Sequence, residues 1–244
     1  MHNKIKYKHP QATLLHATPL SIGEVAARIC YNSFSLATEP TIRNFKKNLS
    51  VDDINSSDLL NKLTWTHHHE SINEHINLSY YIKDISREVV LEWNRHRIGM
   101  ATSQQSSRYT MEPIINSWID YDNQDISWND FVNEVAKYVI DNTDFMIEED
   151  AMYIHGKLTR YNIEQPLIKN LTGSKKKKQN DRVKRCLPET WMLEGIWTFN
   201  LRALKHFYDL RSSGAAYYGI RKVVDTIIQA TPDKYLSLIR KETK

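Results

Sequence analysis

The sequence predicts an α+β fold, and three observations predict it. Residues 76–82 alternate apolar and polar side chains, with Ile76, Leu78, Tyr80 and Ile82 on one face, the period-two signature of a half-buried strand. Several other stretches carry apolar residues at helical spacing, including one that reads as a single helix from Thr190 to Arg211. The 244 residues are 41% hydrophobic and 10% aromatic, enough to bury a real core, so one soluble globular unit is expected.

Charge and cysteine content narrow the class. The 33 basic residues exceed the 29 acidic ones by a net charge of +4, too small an excess to imply nucleic acid but compatible with small anionic ligands. Two cysteines, Cys30 and Cys186, occur without a Cys-x-x-Cys pair. That argues against a disulfide framework or a cysteine-rich zinc site and for a reducing, cytoplasmic setting. Residues 1–10 have no apolar signal region, and no apolar run nears the roughly 18 residues of a membrane span, so no membrane partner is expected.

Taken in order, Thr18 to Phe34 read as a first helix, with Ser21 and Glu24 as a capping box and Val25, Ala26, Ile29 and Cys30 on its apolar face. Cys30 then reads as a small buried hydrophobe. Residues 39–55 are polar and aperiodic, a loop with a short helix. A second helix spans Ser57 to Thr66, with Leu59, Leu60 and Leu63 at core spacing. It leads into His67, His68, His69, Glu70, Ser71, Ile72, Asn73, Glu74 and His75. Four histidines in nine residues suggest zinc, but Asn73 stands where His-Glu-x-x-His needs its second ligand; polar residues on the surface with no site role, and ligand contacts at an element junction, are the other readings.

After the strand, Ser86 caps a helix with Val89, Val90 and Trp93 as its stripe. Ser127 and Asp130 start a long amphipathic helix whose core face comprises Phe131, Val135, Tyr138, Val139 and Phe145. Between Asn170 and Arg185, the run Lys175 to Lys178 in a Gly-Ser-Asn context reads as an exposed loop insertion at about 170–181, with nucleic-acid or membrane-surface contact as alternatives. In the Thr190–Arg211 helix, Trp197, Leu201, Leu204 and Phe207 are apolar; Arg202 and His206 share one face, while Asn200 and Arg211 lie opposite. Ser212, Ser213 and Gly214 end it, a helix follows through Ile220, Val223, Val224, Ile227 and Ile228, and Thr231-Pro232 starts a short last one.

The chemistry concentrates between Glu92 and Tyr109. Arg95, His96 and Arg97 are adjacent cationic or titratable residues, followed by a small-residue loop and then Ser106, Ser107, Arg108 and Tyr109. Adjacent cations repel, so the group reads as an anion site, with helix-end charges complementing the dipole as the structural alternative. Guanidinium groups suit phosphate or a pyrimidine carbonyl. The residues alone thus support an enzyme acting on a nucleotide or phosphorylated cofactor.

Arg95-His96-Arg97 followed by Ser106-Ser-Arg108-Tyr109 resembles the signature of the flavin-dependent thymidylate synthases. Ala26-Ala-Arg-Ile-Cys30-Tyr31, His69-Glu70-Ser71-Ile-Asn-Glu74-His75, Leu187-Pro188 and Trp197-Thr-Phe-Asn200-Leu-Arg202 through Arg211 resemble further motifs of that family, in order, over residues 18–235. The resemblance implies a single domain with an antiparallel sheet flanked by long helices. It implies FAD as cofactor, NADPH and methylenetetrahydrofolate as co-substrates, and conversion of dUMP to dTMP by a homotetramer with shared active sites. It places His69, Ser71, Glu74, Arg95, His96, Arg97, Gln104, Asn200, Arg202 and His206 at FAD. Glu92, Arg95, Ser106, Ser107, Arg108, Arg185 and Arg211 fall to dUMP, and Arg211, Arg108 and Ser106 to catalysis, with no metal.

The chain departs from the pattern in places. Ile98 to Gln105 make a spacer of eight residues, one more than the common form, and Ala215-Ala-Tyr217-Tyr-Gly219-Ile-Arg221 stands where the family reads His-Ala-Gln-x-Glu-Ile-Arg. Before Leu187-Pro188, Arg185 is nearest, Lys184 fits the strict spacing and Arg182 is a third candidate. Two other functions compete: a nucleic-acid-binding module using the lysine tract, and a family member that binds flavin or nucleotide without turnover.

Overall fold

The alternation predicted over residues 76–82 becomes a strand in which Leu78, Tyr80 and Ile82 are fully buried. The structure, a computed structural model, describes residues 8–140 and 144–241, with side chains for all of these except Asp144 and Phe145. In chain order the elements are β1 (Gln11–Ala17), α1 (Leu20–Cys30), α2 (Pro40–Arg43), α3 (Phe45–Asn48), α4 (Asp58–Trp65), β2 (Asn77–Ser86), α5 (Arg87–Trp93), β3 (Met100–Gln104) and α6 (Ser107–Thr110). Then come α7 (Glu112–Asp122), α8 (Trp128–Val135), α9 (Asp144–Glu164), α10 (Gly173–Val183), β4 (Met192–Asn200), α11 (Leu201–Arg211), α12 (Tyr218–Ala230) and α13 (Asp233–Ile239). The four strands form one antiparallel sheet in the order β1-β2-β4-β3.

The chain divides into two compact units. The sheet unit comprises Gln11–Ile82, Trp93–Ser103 and Gly195–Lys244; the helical unit comprises Lys83–Glu92 and Gln104–Glu194 with the described part of Met1–Pro10. In the sheet unit α12 packs along β1, and α11 packs against α13. Its core is strongly aromatic: Tyr80, Trp93, Trp197, Phe199 and Phe207 are all buried. The helical unit packs α7, α8 and α9 around Trp118, Phe131, Ile154, Leu158 and Trp191. Burying each such side chain contributes roughly 1.5–3 kcal/mol, which is why large apolar residues rather than local propensity decide where these helices lie.

Several sequence expectations are corrected. The first helix begins at Leu20, not Thr18, and the capping box does not form: the Leu20 amide donates to Asp53 Oδ1 at 2.8 Å, so a distant carboxylate does the capping. Glu24 instead accepts from Arg28 Nε at 3.1 Å and Nη2 at 2.9 Å, and from Ser57 Oγ at 2.6 Å. This buried network turns the helix so that Leu20, Val25 and Ala27 are inside while Ile29 and Cys30 are exposed, against the expectation that Cys30 is buried.

The helix begun by Ser127 does have a capping box with Asp130, but it stops at Val135. Tyr138 stacks on Trp191 at 5.3 Å, and Val139 pairs with Trp191 as an isolated bridge, so extended pairing overrides the helical period. The Phe145 side chain lies outside the described residues. The lysine run is not a loop but helix α10: lysine is a good helix former, Val183 and Asn180 bury one face, and Lys176 pairs with Glu112. The expected Thr190–Arg211 helix is strand β4 followed by α11. Ile196-Trp-Thr-Phe199 is β-branched and aromatic, Trp197 and Phe199 point inward with period two, and Ser79 and Thr198 hydroxyls meet at 2.8 Å across the strands.

The turn from α5 into β3 rests on Gly99. Its φ is +73°, and a Cβ there would lie 2.5 Å from Asn200 Nδ2, while its carbonyl accepts from the Asn200 amide at 2.8 Å. Gly99→Ala is therefore expected to cost on the order of 1–3 kcal/mol through strain at a left-handed position, read as a lower urea midpoint; an unchanged midpoint would show that Asn200 yields freely. The two thiols give a second test. Burial pushes the Cys186 thiol up to about 12, whereas Cys30 is exposed. Iodoacetamide at about pH 8 should modify Cys30 alone in the folded protein and both cysteines in denaturant, as read by mass spectrometry.

Candidate active site

Helix α5 ends on Trp93, whose indole is fully buried and sits among three other rings. Trp197 lies 4.9 Å away at 18°, Phe207 at 5.0 Å and 19°, and Phe199 at 5.8 Å and 26°. Trp93 Nε1 also points at Met100 Sδ, 3.3 Å away, and the Trp93 carbonyl accepts from the His96 amide at 2.9 Å. The residue that anchors the turn is thus inside, and the next ones emerge at the surface: Arg95 and Arg97 are exposed and His96 is half-buried. Arg95, His96, Arg97, Ile98, Met100, Ala203 and His206 line a cavity of about 240 Å³.

His96 is fixed from two sides. Arg211 Nε donates to His96 Nε2 at 2.9 Å; because a guanidinium only donates, Nε2 is the acceptor and the ring proton sits on Nδ1. Phe207 meets the imidazole edge-on at 5.0 Å, and the His206 ring lies 6.1 Å away. His206 and Arg211, expected on different faces, both converge on His96. Arg202 does point elsewhere and pairs with Glu74 at 2.6 Å.

The histidine cluster forms a short 3-10 turn, Glu70–His75. Tyr31 and His69 share a hydrogen bond of 2.7 Å between the phenol oxygen and Nδ1. Asn73 is buried and donates to Thr64 Oγ1 at 2.9 Å, a structural role that explains an amide at that position. Ser71 and His75 are exposed. Burial works against the charge on Lys205, but Asp209 and Glu70, the latter 3.2 Å away, outweigh it and hold the ammonium above its ordinary value. Among the described residues no group of three or more His, Cys, Asp or Glu is placed to hold a metal. Asn200, assigned to flavin by resemblance, is the N-cap of α11: its Oδ1 accepts from the Ala203 amide at 2.8 Å.

In the helical unit, Gln104 is exposed at the end of β3, and the Gln105 amide donates to the Glu194 carbonyl at 2.8 Å. Ser106 precedes α6 in an extended conformation, without a side-chain bond to that helix. Ser107 and Arg108 are half-buried. Arg108 grips both carboxylate oxygens of Asp181 through Nε and Nη2, which holds the Asp181 carboxyl below its ordinary value, and the Arg108 carbonyl accepts from Asn180 Nδ2. Glu92 is half-buried and Arg185 exposed, on the short turn Lys184–Cys186. Sequence reasoning missed Asp181 and the cavity-lining Met100 and Ala203. Ala203 was within reach, three positions before His206 on one helical face; Asp181 carried no local signal, being 73 residues from its partner.

Chemically, the sheet unit offers two exposed guanidinium groups, an imidazole bonded to a third guanidinium with a second imidazole beside it, and a small cavity, a setting for a phosphate-bearing ligand beside a ring that accumulates negative charge. The family model described as thymidylate synthase complementing protein matches residues 13–234, running through both units. The chain is 30% identical over 232 residues to a flavin-dependent thymidylate synthase of Wolinella succinogenes, covering 94% of this chain and 98% of that one. It is 29% identical over 226 residues to one of Campylobacter jejuni, covering 92% and 93%. Thymidylate synthase X of Helicobacter pylori, solved with FAD and dUMP, has a similar fold, with a TM-score of 0.69 at 21% identity, covering 94% of this chain and 97% of that one. With the ordered motifs, the sheet and the full-length match together, the chain belongs to the thymidylate synthase complementing protein family, that of the flavin-dependent thymidylate synthases.

Proposed function

We propose that the protein converts dUMP to dTMP, with FAD as cofactor, NADPH as reductant and methylenetetrahydrofolate as carbon donor. The observation that carries this reading is the cavity walled by Arg95, His96, Arg97 and His206, with Arg211 bonded to His96, in a chain of this family. Bound FAD, once reduced, supplies the hydride for reductive methylation of the uracil ring.

The donors present fit a flavin dinucleotide in kind. Arg95 and Arg97 can pair with its phosphates; His96, His206 and Asn200 offer ring and amide groups, and His69, Ser71, Glu74, Gln104 and Arg202 complete the assignment. In size, the cavity of about 240 Å³ takes only part of a dinucleotide, small-molecule sites running from about 300 to 1,000 Å³. This supports a homotetramer in which subunits share the residues of each site. For dUMP we assign Glu92, Arg95, Ser106, Ser107, Arg108, Arg185 and Arg211. Ser106 positions the nucleotide, while Arg211 and Arg108 stabilise negative charge that develops on the pyrimidine oxygens. No thiol need attack the ring: Cys186 is buried with its pKa pushed up to about 12, and neither cysteine lies between proline and histidine. No helix among the described residues is long and apolar enough to cross a membrane. We place the protein in the cytoplasm because its two free thiols suit a reducing setting.

Two outcomes test this. The purified protein should take up FAD and show a flavin absorption band, and dUMP should accelerate its oxidation of NADPH; a protein that stays colourless with FAD and ignores dUMP would overturn the assignment. Arg211→Ala, which removes the donor to His96, should lower turnover about 10²- to 10³-fold while FAD still binds, the usual loss for one charge-stabilising donor. Turnover within twofold or so of the parent would exclude that role.

A further inference from the structure

A second cavity, of about 300 Å³, lies in the helical unit between α10 and the segment that precedes it. Lys175, Lys178 and Arg182, at positions i, i+3 and i+7 of α10, form one stripe along it, spanning about 10 Å of helix axis. Ile168 and Leu171 face them from the preceding segment, and no carboxylate lines the cavity. The neighbouring acids are engaged elsewhere: Asp181 by Arg108, Glu112 by Lys176 and Glu164, at 3.9 Å, by Arg160. Three positive charges therefore share one concave wall without compensation.

Two features make this more than a solvated basic face. Gln179, on the same stripe, accepts from the Ile168 amide at 2.9 Å and donates to the Ile168 carbonyl at 2.9 Å, so the apolar wall is held in place before any ligand arrives. Arg182 lines the cavity with its Nε and Nη1 enclosed and without a hydrogen-bond partner among the described residues. Enclosed donors on a charged group are costly, and an anion held against the same guanidinium offsets part of that cost by neutralising its charge.

We propose that this cavity binds the polyphosphate chain of a small nucleotide, a nucleoside triphosphate being the class that fits. The row of three cations matches an elongated polyanion better than a single carboxylate, and the volume admits a phosphate chain with part of a nucleoside but not a dinucleotide. Ile168 and Leu171 give the nucleoside an apolar surface. With Arg185 rather than Arg182 taken for dUMP, no lining residue is among those assigned above to FAD and dUMP, so failure of the site leaves the proposed reaction untouched.

Calorimetric titration of the full chain with inorganic triphosphate and with ATP tests the proposal. One site per chain is expected, with ATP binding at least as tightly as triphosphate and both weakened by salt. Lys178→Gln and Arg182→Gln should each weaken binding roughly tenfold, the scale of one charge-assisted contact. Lys177→Gln removes the same charge from the same helix away from the cavity and should change the affinity less than about twofold. Should Arg182→Gln fail to fold, the exposed Lys178 still decides. Absence of triphosphate binding at millimolar concentration, exclusion of ATP, or an equal loss in Lys177→Gln would each overturn the site.

Discussion

The ring stack on Trp93 is the interaction on which the sheet unit depends. One indole at the end of α5 touches Trp197 and Phe199 of β4 and Phe207 of α11, so α5 shares a single contact surface with two consecutive elements far along the chain. Each such pair contributes about 0.5–1.5 kcal/mol beyond the area it buries. The larger effect is geometric. With the indole locked, the chain must turn within a few residues, and the side chains of Arg95, His96 and Arg97 leave the core in fixed directions; Gly99 and Asn200, the N-cap of α11, close the turn from the other side.

The charged pairs around this frame are placed for readiness more than for stability. Arg202–Glu74 is exposed on both sides, and exposed pairs are worth little to folding. Their use is to hold long cationic side chains extended, so that less side-chain freedom is lost when an anion arrives. Arg108 is the clearest case. Asp181 occupies two of its donors in the fork geometry that a phosphate or a pyrimidine oxygen would also use, which leaves the remaining donors oriented and the carboxylate as a competitor that a stronger anion must match.

How far the sequence could be read follows the same physics. Strand β2 and helices α4, α5 and α12 were legible because each buries one face with its own period intact: Leu78, Tyr80 and Ile82, or Ile220, Val223, Val224 and Ile227. Strands β1 and β3 were not, since both are edge strands: β1 alternates only over Gln11–Leu15, with the apolar Leu15 on its exposed face, and β3 is mostly exposed with no alternation. Strand β4 was misread because Trp197, Leu201 and Leu204 fall at helical spacing even though the first belongs to a strand and the others to α11; the Asn200 cap was the boundary signal. At the site, clustered motifs such as Arg95-His96-Arg97 were legible as an anion site. Pairings that bring distant segments together, Tyr31 with His69 and Arg108 with Asp181, had no local trace.

The exposed apolar residues beside the cavity bear on how the proposed enzyme assembles. Ile98 lies in the cavity wall yet is 93% exposed, on a turn whose backbone is already fixed by Trp93 and Gly99. A turn held that firmly does not bury Ile98 by folding back, so the side chain stays in water until something covers it. Covering one such side chain is worth roughly 1.5–3 kcal/mol, and a flavin ring or a neighbouring subunit would each gain it. In the proposed homotetramer the two would coincide: a subunit that closed over Ile98 would both enlarge the small cavity and contribute the remaining wall, and cofactor affinity would then follow assembly rather than the single chain.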